Sequence, residues 1–221
     1  DNLVRDKMDT PASDLTYDSV IDTHKSFLEL IIENEVNEEV KMSDEEIRDN
    51  MITIMFAGQD TTATTNCMTL LMLAIHPEIQ NKVLEELDDV FGTPATDNGH
   101  VPVYSELMEL HTLDRVLKES CRLYPSAPVF GRHMTDDTQT GPFVLPKGST
   151  VIFFNFGLHR DAQFHQKPNE FWPDRFLPCN ARIHHNYSFI PFGAGSRNCV
   201  GQKYAMLQMK TVLSTILRKY R

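Results

Sequence analysis

Cys199 has the clearest capacity for chemistry in this sequence, because it stands between a glycine-rich loop and a predicted helix. Apolar residues recur at three- and four-residue steps from about residue 200 to the end, which is typical of an amphipathic helix. The unpaired N–H groups and the dipole of a helix N-terminus favour a negative sulfur. Gly193 and Gly195 would let the backbone pass close to a flat ligand. The pattern indicates a thiolate ligand under a large cofactor; the alternative is a buried structural cysteine beside a glycine turn.

The run from Ala57 to Thr62 is a second candidate for chemistry, because it lies inside a long predicted helix. It contains a glycine and two threonines, and glycine alone costs about 1 kcal/mol relative to alanine in a helix. Threonine hydroxyls can bond back to helix carbonyls and bend the helix, which opens a groove for a small ligand. Thr62 is expected to face another direction on this helix than Thr61. The alternative is a packing kink with Asp60 paired to a base.

The loop residues match a long and specific signature. The pattern Phe-x-x-Gly-x-Arg-x-Cys-x-Gly is occupied by Phe192, Gly195, Arg197, Cys199 and Gly201. The chain therefore resembles the cytochrome P450 family of haem-thiolate proteins. The resemblance implies that Cys199 is the axial ligand of the iron in haem b and that Arg197 pairs with a haem propionate. A thiolate ligand favours cleavage of the O–O bond, which suits an oxygen-activating enzyme.

Two further segments extend this resemblance. The run from Ala57 to Thr62 is similar to the family's Ala-Gly-x-Asp-Thr-Thr oxygen-binding motif. By resemblance, Thr61 donates a hydrogen bond at the oxygen-binding site and Asp60 helps to relay protons from solvent. Arg132 resembles a second propionate-binding arginine, and a surface arginine on a strand edge is the alternative interpretation.

Glu119, Arg122 and Arg175 are implied by the resemblance to form a buried network. Glu119 and Arg122 stand three residues apart on a predicted helix, so they share a face and match the family's Glu-x-x-Arg. Arg175 lies in a segment similar to the family's Pro-x-Arg-Phe. We assign the three residues to assembly of the haem pocket rather than to chemistry. Breaking such a network would leave a charge unpaired in a low dielectric, at a cost of about 3–5 kcal/mol.

Several helices must position these residues. Ser43 and Glu46 form a capping-box pattern, which predicts a long helix that runs until His76-Pro77 stops it. Other helices are predicted at about 26–40, 77–91 and 112–123.

Residues 125–155 are the strand-rich region, where extended runs at 143–145 and 149–154 flank a turn at 146–148. The predicted fold is mainly α with a small β region, and it resembles the C-terminal part of the cytochrome P450 fold from about Ser43 onward.

Composition narrows the class of protein. The chain has 221 residues, of which 41% are hydrophobic and 24% are charged, as in an ordinary globular protein. Its formal net charge of -10 argues against nucleic acid as a partner. The four cysteines, Cys67, Cys121, Cys179 and Cys199, lack the paired spacing of a zinc site or a disulfide framework.

The beginning of the chain predicts an incomplete domain. The residues after Asp1 do not resemble a signal peptide, and no apolar run is long enough to span a bilayer. Members of the family are normally longer and carry an N-terminal membrane anchor. We expect residues 1–221 to be the C-terminal portion of a single haem-binding monooxygenase domain, incomplete at both ends, with its anchor upstream. The expected location is the cytosolic face of the endoplasmic reticulum membrane, with the mitochondrial inner membrane as the alternative.

The resemblance implies a monooxygenase that inserts one atom of dioxygen into a small lipophilic substrate such as a fatty acid, a sterol or a xenobiotic. Electrons would come from NADPH through a cytochrome reductase, attracted by Lys118, Lys203 and Lys210; a solvated surface is the alternative for these lysines. Within the family, the sequence most resembles the branch that contains the microsomal fatty-acid ω-hydroxylases and their arthropod relatives. Several of those enzymes tie the haem covalently through a glutamate where this chain has Ala57, so only Cys199 and packing should hold the haem here.

Two other functions remain open at this point. A haem-thiolate isomerase or dehydratase would need no reductase, although the Asp60-Thr61 pair argues against it. The third hypothesis is an inactive truncated fragment without a complete pocket.

Overall fold

The computed structural model describes residues 26–31, 42–93, 99–180, 185 and 187–220. The chain divides into two compact units, Asp1–Phe56 and Ala57–Arg221. In the first unit, residues 27–31 form a helical turn. The remainder of the helix predicted at 26–40 lies outside the described residues.

Helix α1, Asp44–Ile75, begins in the first unit and continues into the second. The predicted capping box is confirmed, because the Ser43 N–H donates to Glu46 Oε2 at 2.8 Å and the Glu46 N–H donates to Ser43 Oγ at 3.3 Å. The Ser43 N–H and the Ser43 hydroxyl, which both donate to Glu46 Oε2, lower the pKa of the Glu46 carboxyl. The helix ends at Ile75, immediately before the predicted stop at His76-Pro77.

The second unit contains most of the helices. After α1 they are α2 (Pro77–Phe91), α3 (Tyr104–Glu109), α4 (His111–Leu123), α5 (Asn155–Leu158) and α6 (Gln202–Lys219). The predictions of α2, α4 and α6 are confirmed to within two residues at the ends that the structure describes. Helix α3 was not predicted, because six residues are too few to display a periodic apolar face. Among the described residues, no helix has both the length and the apolar character that crossing a bilayer requires.

The strands form two separate antiparallel ribbons. Strand β1 (Phe130–His133) pairs with β4 (Thr150–Phe153), and β2 (Thr138–Thr140) pairs with β3 (Phe143–Leu145). A small β region is confirmed, but β3 and β4 on either side of the 146–148 turn do not pair with each other. Strand β3 pairs instead with the preceding strand β2, because Gly141 at φ 55° allows a two-residue turn between them.

Leucine side chains from α2, α4 and α6 form the core of the second unit. Leu87, Leu113, Leu117 and Leu213 are fully buried, and Met209 and Leu217 are 2% exposed. This core fixes α4 and α6 relative to each other. Helix α4 carries Glu119, Cys121 and Arg122, and α6 follows the loop that contains Cys199.

Candidate functional site

The loop that carries Cys199 is shaped by two glycines in the left-handed region. Gly193 has φ 72° and Gly195 has φ 79°, which a residue with a side chain rarely adopts. The loop is closed by the Cys199 N–H, which donates to the Phe192 carbonyl at 2.8 Å. Cys199 itself is exposed and lies three residues before α6 begins at Gln202. The alternative of a buried structural cysteine is therefore wrong.

Cys199 lines a cavity of about 230 Å³ within the second unit. Three threonines of α1, the end of α4, strand β1 and the start of α6 contribute to the same wall. Among the lining residues are Thr61, Thr62, Thr65, Cys121, Phe130, Arg132, Asn155, Phe192, Arg197, Ala205 and Met209. The cavity thus collects one exposed thiol, two guanidinium groups, four hydroxyls including that of Ser126, the Asn155 amide and several apolar side chains.

The predicted site residues are not all on this wall. Thr61 lines the cavity, whereas Asp60 is exposed and is not among the lining residues. Gly195 and Gly201 belong to the loop rather than to the wall, and a side chain built on either would meet nothing within 4 Å. The expectation that Thr62 faces another direction is wrong, because Thr61 and Thr62 line the same cavity.

Thr65 and Cys121 were missed in the sequence. Thr65 lies four residues after Thr61, so helical spacing places both on one face, and that spacing was the available signal. The threonine hydroxyls bond back along α1: Thr61 Oγ1 donates to Ala57 O at 2.8 Å, and Thr65 Oγ1 donates to Thr61 O at 2.9 Å. These bonds fix the hydroxyl oxygens at the cavity wall.

The two cysteines at the cavity differ in their surroundings. Burial raises the pKa of the Cys121 thiol to about 12, although a hydrogen bond with Thr65 opposes the shift. Cys121 is therefore a neutral thiol at physiological pH. Cys199 stands exposed in its loop and is the better thiolate ligand of the two.

Arg132 and Arg197 lie side by side at the cavity. Arg132 Nη2 is 3.4 Å from the Arg197 carbonyl oxygen, and Arg132 Nη1 donates to Gly131 O at 2.8 Å. The Arg132 guanidinium also lies 5.1 Å from the centre of the Phe130 ring. Neither arginine takes part in an ion pair within the part of the chain that the structure describes. Both cations are available to an anionic ligand.

Glu119, Arg122 and Arg175 form a buried ion network beside this cavity. Arg122 Nε lies 2.7 Å from Glu119 Oε2, and Arg175 Nε lies 3.0 Å from each carboxylate oxygen. None of the three side chains is more than 1% exposed. Burial lowers the pKa of Arg175, and the Glu119 charge opposes that shift.

The network also holds the irregular segment between α5 and the loop. Arg122 Nη1 donates to Pro168 O at 2.7 Å, and Arg175 Nη2 donates to Lys167 O at 3.0 Å. The backbone N–H of Trp172 donates to Glu119 Oε1 at 2.8 Å. A single carboxylate therefore ties α4 to the segment that leads towards Cys199.

The lysines expected on the cysteine side are not equivalent. Lys118, Lys203 and Lys210 all line a second cavity of about 690 Å³, which shares Phe192 and Gly193 with the first. Lys210 is only 5% exposed, and its Nζ donates to Leu107 O at 3.1 Å and lies 3.4 Å from Asp114 Oδ1. The expectation that Lys210 belongs to an exposed basic surface is wrong.

These residues fit a haem. The donor set contains one exposed sulfur for iron, two cations that suit the propionates, and apolar side chains that suit the porphyrin faces. Cys121 does not compete for the metal, because its thiol stays protonated.

Comparisons with known proteins agree with this site. Residues 2–221 match the family described as Cytochrome P450, and the chain belongs to that family. The match reaches further towards the N-terminus than the motifs that begin at Ser43. Members of the family bind haem b through a cysteine thiolate.

Individual relatives are similar over most of this chain. Cytochrome P450 4V2 of Mus musculus is 42% identical over 197 residues, which cover 89% of this chain and 37% of the relative. Cytochrome P450 4c3 of Drosophila melanogaster is 42% identical over 200 residues, which cover 89% of this chain and 36% of the relative. For cytochrome P450 4g15 of Drosophila melanogaster the identity is 42% over 198 residues, with 89% and 34% covered. The chain thus spans just over a third of the length of these relatives.

Proposed function

We propose that the protein containing this chain is a haem-thiolate monooxygenase that inserts one atom of dioxygen into a lipophilic substrate. The observation that carries the proposal is the single cavity that Cys199, Arg132, Arg197 and Thr61 all line. Family membership supports the same class of enzyme. In this proposal residues 1–221 are the C-terminal portion of one haem-binding domain.

Cys199 Sγ would hold the iron, and Arg132 and Arg197 would hold the propionates. When bound, the haem supplies the electron transfer and oxygen activation that no amino-acid side chain can perform. The protein contributes position: the closed loop holds the sulfur, and Phe192 of the same loop lines the cavity beside it. The apolar part of the wall limits the access of water to the cavity.

Thr61 would handle protons at its hydroxyl, with Asp60 as its link to solvent. The single hydroxyl proton of Thr61 is engaged with Ala57 O at 2.8 Å, so the oxygen is free to accept a hydrogen bond from the cavity. Donation into the cavity requires Thr61 to release Ala57. Asp60 directly precedes Thr61 on α1 and is exposed to solvent, which supports its proposed role as this link.

For the electron donor we propose an NADPH-dependent cytochrome reductase with an acidic docking surface. Lys118 and Lys203 support this proposal, since both line the second cavity next to the Cys199 loop and both are more exposed than Lys210. Lys203→Glu should slow reduction of the iron and leave substrate affinity unchanged. Lys147→Glu is the matched control, because Lys147 is exposed but does not line this cavity. An unchanged reduction rate in Lys203→Glu would remove Lys203 from the docking surface.

The substrate class and location extend the proposal. Fatty acids, sterols and xenobiotics are the proposed substrate classes, and the resemblance to microsomal ω-hydroxylases favours the first of these. We propose the endoplasmic reticulum membrane as the site of action. Fractionation of cells that express the full-length protein would distinguish it from the mitochondrial inner membrane.

Turnover under two conditions tests the reaction class. The proposal expects the full-length protein to oxidise a fatty acid only with NADPH, reductase and dioxygen. Turnover of a lipid hydroperoxide without reductase would instead identify an isomerase or dehydratase. Residues 1–221 should also be expressed alone, since failure to take up haem would identify this piece as inactive on its own.

A further inference from the structure

Two buried side chains hold both backbone polar groups of Ile190, the residue from which the cysteine loop departs. Asn155 Nδ2 donates to the Ile190 carbonyl at 3.3 Å, and the Ile190 N–H donates to His159 Nε2 at 3.0 Å. Asn155 is 1% exposed and His159 is fully buried. They stand four residues apart at α5, so both side chains reach Ile190 from one face.

Ile190 is connected to Cys199 by two further backbone hydrogen bonds. The Gly193 N–H donates to Ile190 O at 3.0 Å, and the Cys199 N–H donates to Phe192 O at 2.8 Å. A displacement of Ile190 would therefore move both ends of the closed loop. The position of the sulfur depends on where Asn155 and His159 hold this residue.

His159 is itself held by the buried ion network. Arg122 Nη1 donates to the His159 carbonyl at 2.7 Å, and the His159 N–H donates to Asn155 O at 2.9 Å. The imidazole also packs against Phe189, with ring centres 5.3 Å apart. A continuous path of short polar contacts thus runs from Glu119 through Arg122 and His159 to the loop.

Asn155 and His159 would be unfavourable at these buried positions if they served only to fill space. Asn155 Oδ1 and His159 Nδ1 are buried without a hydrogen-bond partner among the described residues. An apolar pair would avoid this loss of hydration. Burial, together with the electrostatic influence of His165 and Arg122, lowers the pKa of His159 to about 4, so Nε2 remains an acceptor at physiological pH.

We infer that Asn155 and His159 are positioning residues that hold Ile190 and thereby set the placement of the Cys199 sulfur against the iron. The inference rests on the proposed role of Cys199 as the iron ligand. Groups that support a metal ligand commonly change metal affinity when they are lost, by about 10–100-fold. Asn155 and His159 would exert that influence through the backbone rather than by touching the haem.

The test uses the full-length protein loaded with haem. Asn155→Leu removes the donor to Ile190 O with little change in size, and His159→Phe removes the acceptor but keeps a ring. His159→Gln restores an acceptor oxygen near the position of Nε2. Leu87→Ala is the control for lost stability, because Leu87 is fully buried in the core on α2. The readouts are haem affinity and the fraction of the ferrous carbon-monoxide complex whose spectrum indicates thiolate ligation.

We expect Asn155→Leu and His159→Phe to lose about tenfold in haem affinity and to convert much of the complex to the neutral-thiol spectrum. His159→Gln should keep most of the thiolate spectrum, and Leu87→Ala all of it. If His159→Phe does not fold, Asn155→Leu alone decides.

Wild-type values in the Asn155 and His159 variants, or equal losses in Leu87→Ala, would overturn the inference. A wild-type protein without any thiolate spectrum would overturn the proposed function instead.

Discussion

The backbone N–H of Cys199 donates to the carbonyl oxygen of Phe192 across 2.8 Å, and this bond closes the loop that presents the sulfur. Closure depends on backbone angles at Gly193 and Gly195 that L-residues rarely adopt. The glycines of the family signature therefore have a conformational role in this chain, apart from any approach to a ligand.

Gly195→Ala should destabilise the protein by about 1–2 kcal/mol, the cost of holding an L-residue in the left-handed region. A steric clash does not explain the loss, since a side-chain carbon at Gly195 would meet nothing within 4 Å. Gly58→Ala is the matched control, because its added carbon is equally unobstructed but lies in a helix, where alanine gains about 1 kcal/mol. Denaturant titration measures both. Changes of the same sign would contradict the assignment.

Glu119→Gln should cost about 3–5 kcal/mol in the free energy of unfolding, because two buried arginines lose their shared counter-charge. The control is Glu170→Gln. Glu170 pairs with Lys167 at 2.8 Å, but both side chains are more than half exposed, so the loss should stay below about 1 kcal/mol. Similar losses in the two variants would mean that burial does not strengthen the network.

Thr61→Val should lower the yield of oxidised product per electron consumed by about 100-fold, the lower end of what a proton-transferring group contributes. The haem spectrum should not change, since valine has nearly the same shape. Thr69→Val is the control, because the Thr69 hydroxyl makes the same back-bond, to Thr65 O at 2.8 Å, but does not line the cavity. Asp60→Asn should change the yield in the same direction as Thr61→Val. Equal yields in Thr61→Val and Thr69→Val would exclude a proton role for Thr61.

Stability should fall on acidification because of His159. Burial lowers the pKa of this imidazole to about 4, so the unfolded chain binds a proton more readily than the native state does. The stabilising contribution is fully present above the unfolded pKa of about 6.5 and is lost towards pH 4, with a limiting slope of about 1.4 kcal/mol per pH unit. His159→Gln should flatten this part of the stability profile in denaturant titrations from pH 4 to 7. An unchanged slope in that variant would contradict the assignment.

The local features of this structure were predictable from the sequence. The capping box at Ser43, the stop at His76-Pro77 and the short distance from Cys199 to a helix start all follow from neighbouring residues. The contacts among Glu119, Arg122 and Arg175 were accessible only through the resemblance, since a pair spaced by three residues does not by itself predict burial.

Features that depend on distant partners were not predictable. Strand β4 pairs with the distant strand β1 and not with β3 across the 146–148 turn, so the turn residues did not indicate its partner. Nothing in the neighbouring sequence distinguishes Lys210 from a surface lysine. Its burial depends on the Leu107 carbonyl, to which its Nζ donates a hydrogen bond. The contacts of Asn155 and His159 with Ile190 span more than thirty residues, and no local pattern indicates them.

The most direct test of the account is the spectrum of the reduced, carbon-monoxide-bound protein after Cys199→Ala, with Cys121→Ala as the control. Both cysteines line the cavity, but only Cys199 is exposed. We predict that Cys199→Ala abolishes the thiolate spectrum and the oxygenase turnover, and that Cys121→Ala keeps both. A Cys199→Ala protein that retained the thiolate spectrum and turned over substrate would contradict the assignment of this sulfur as the iron ligand.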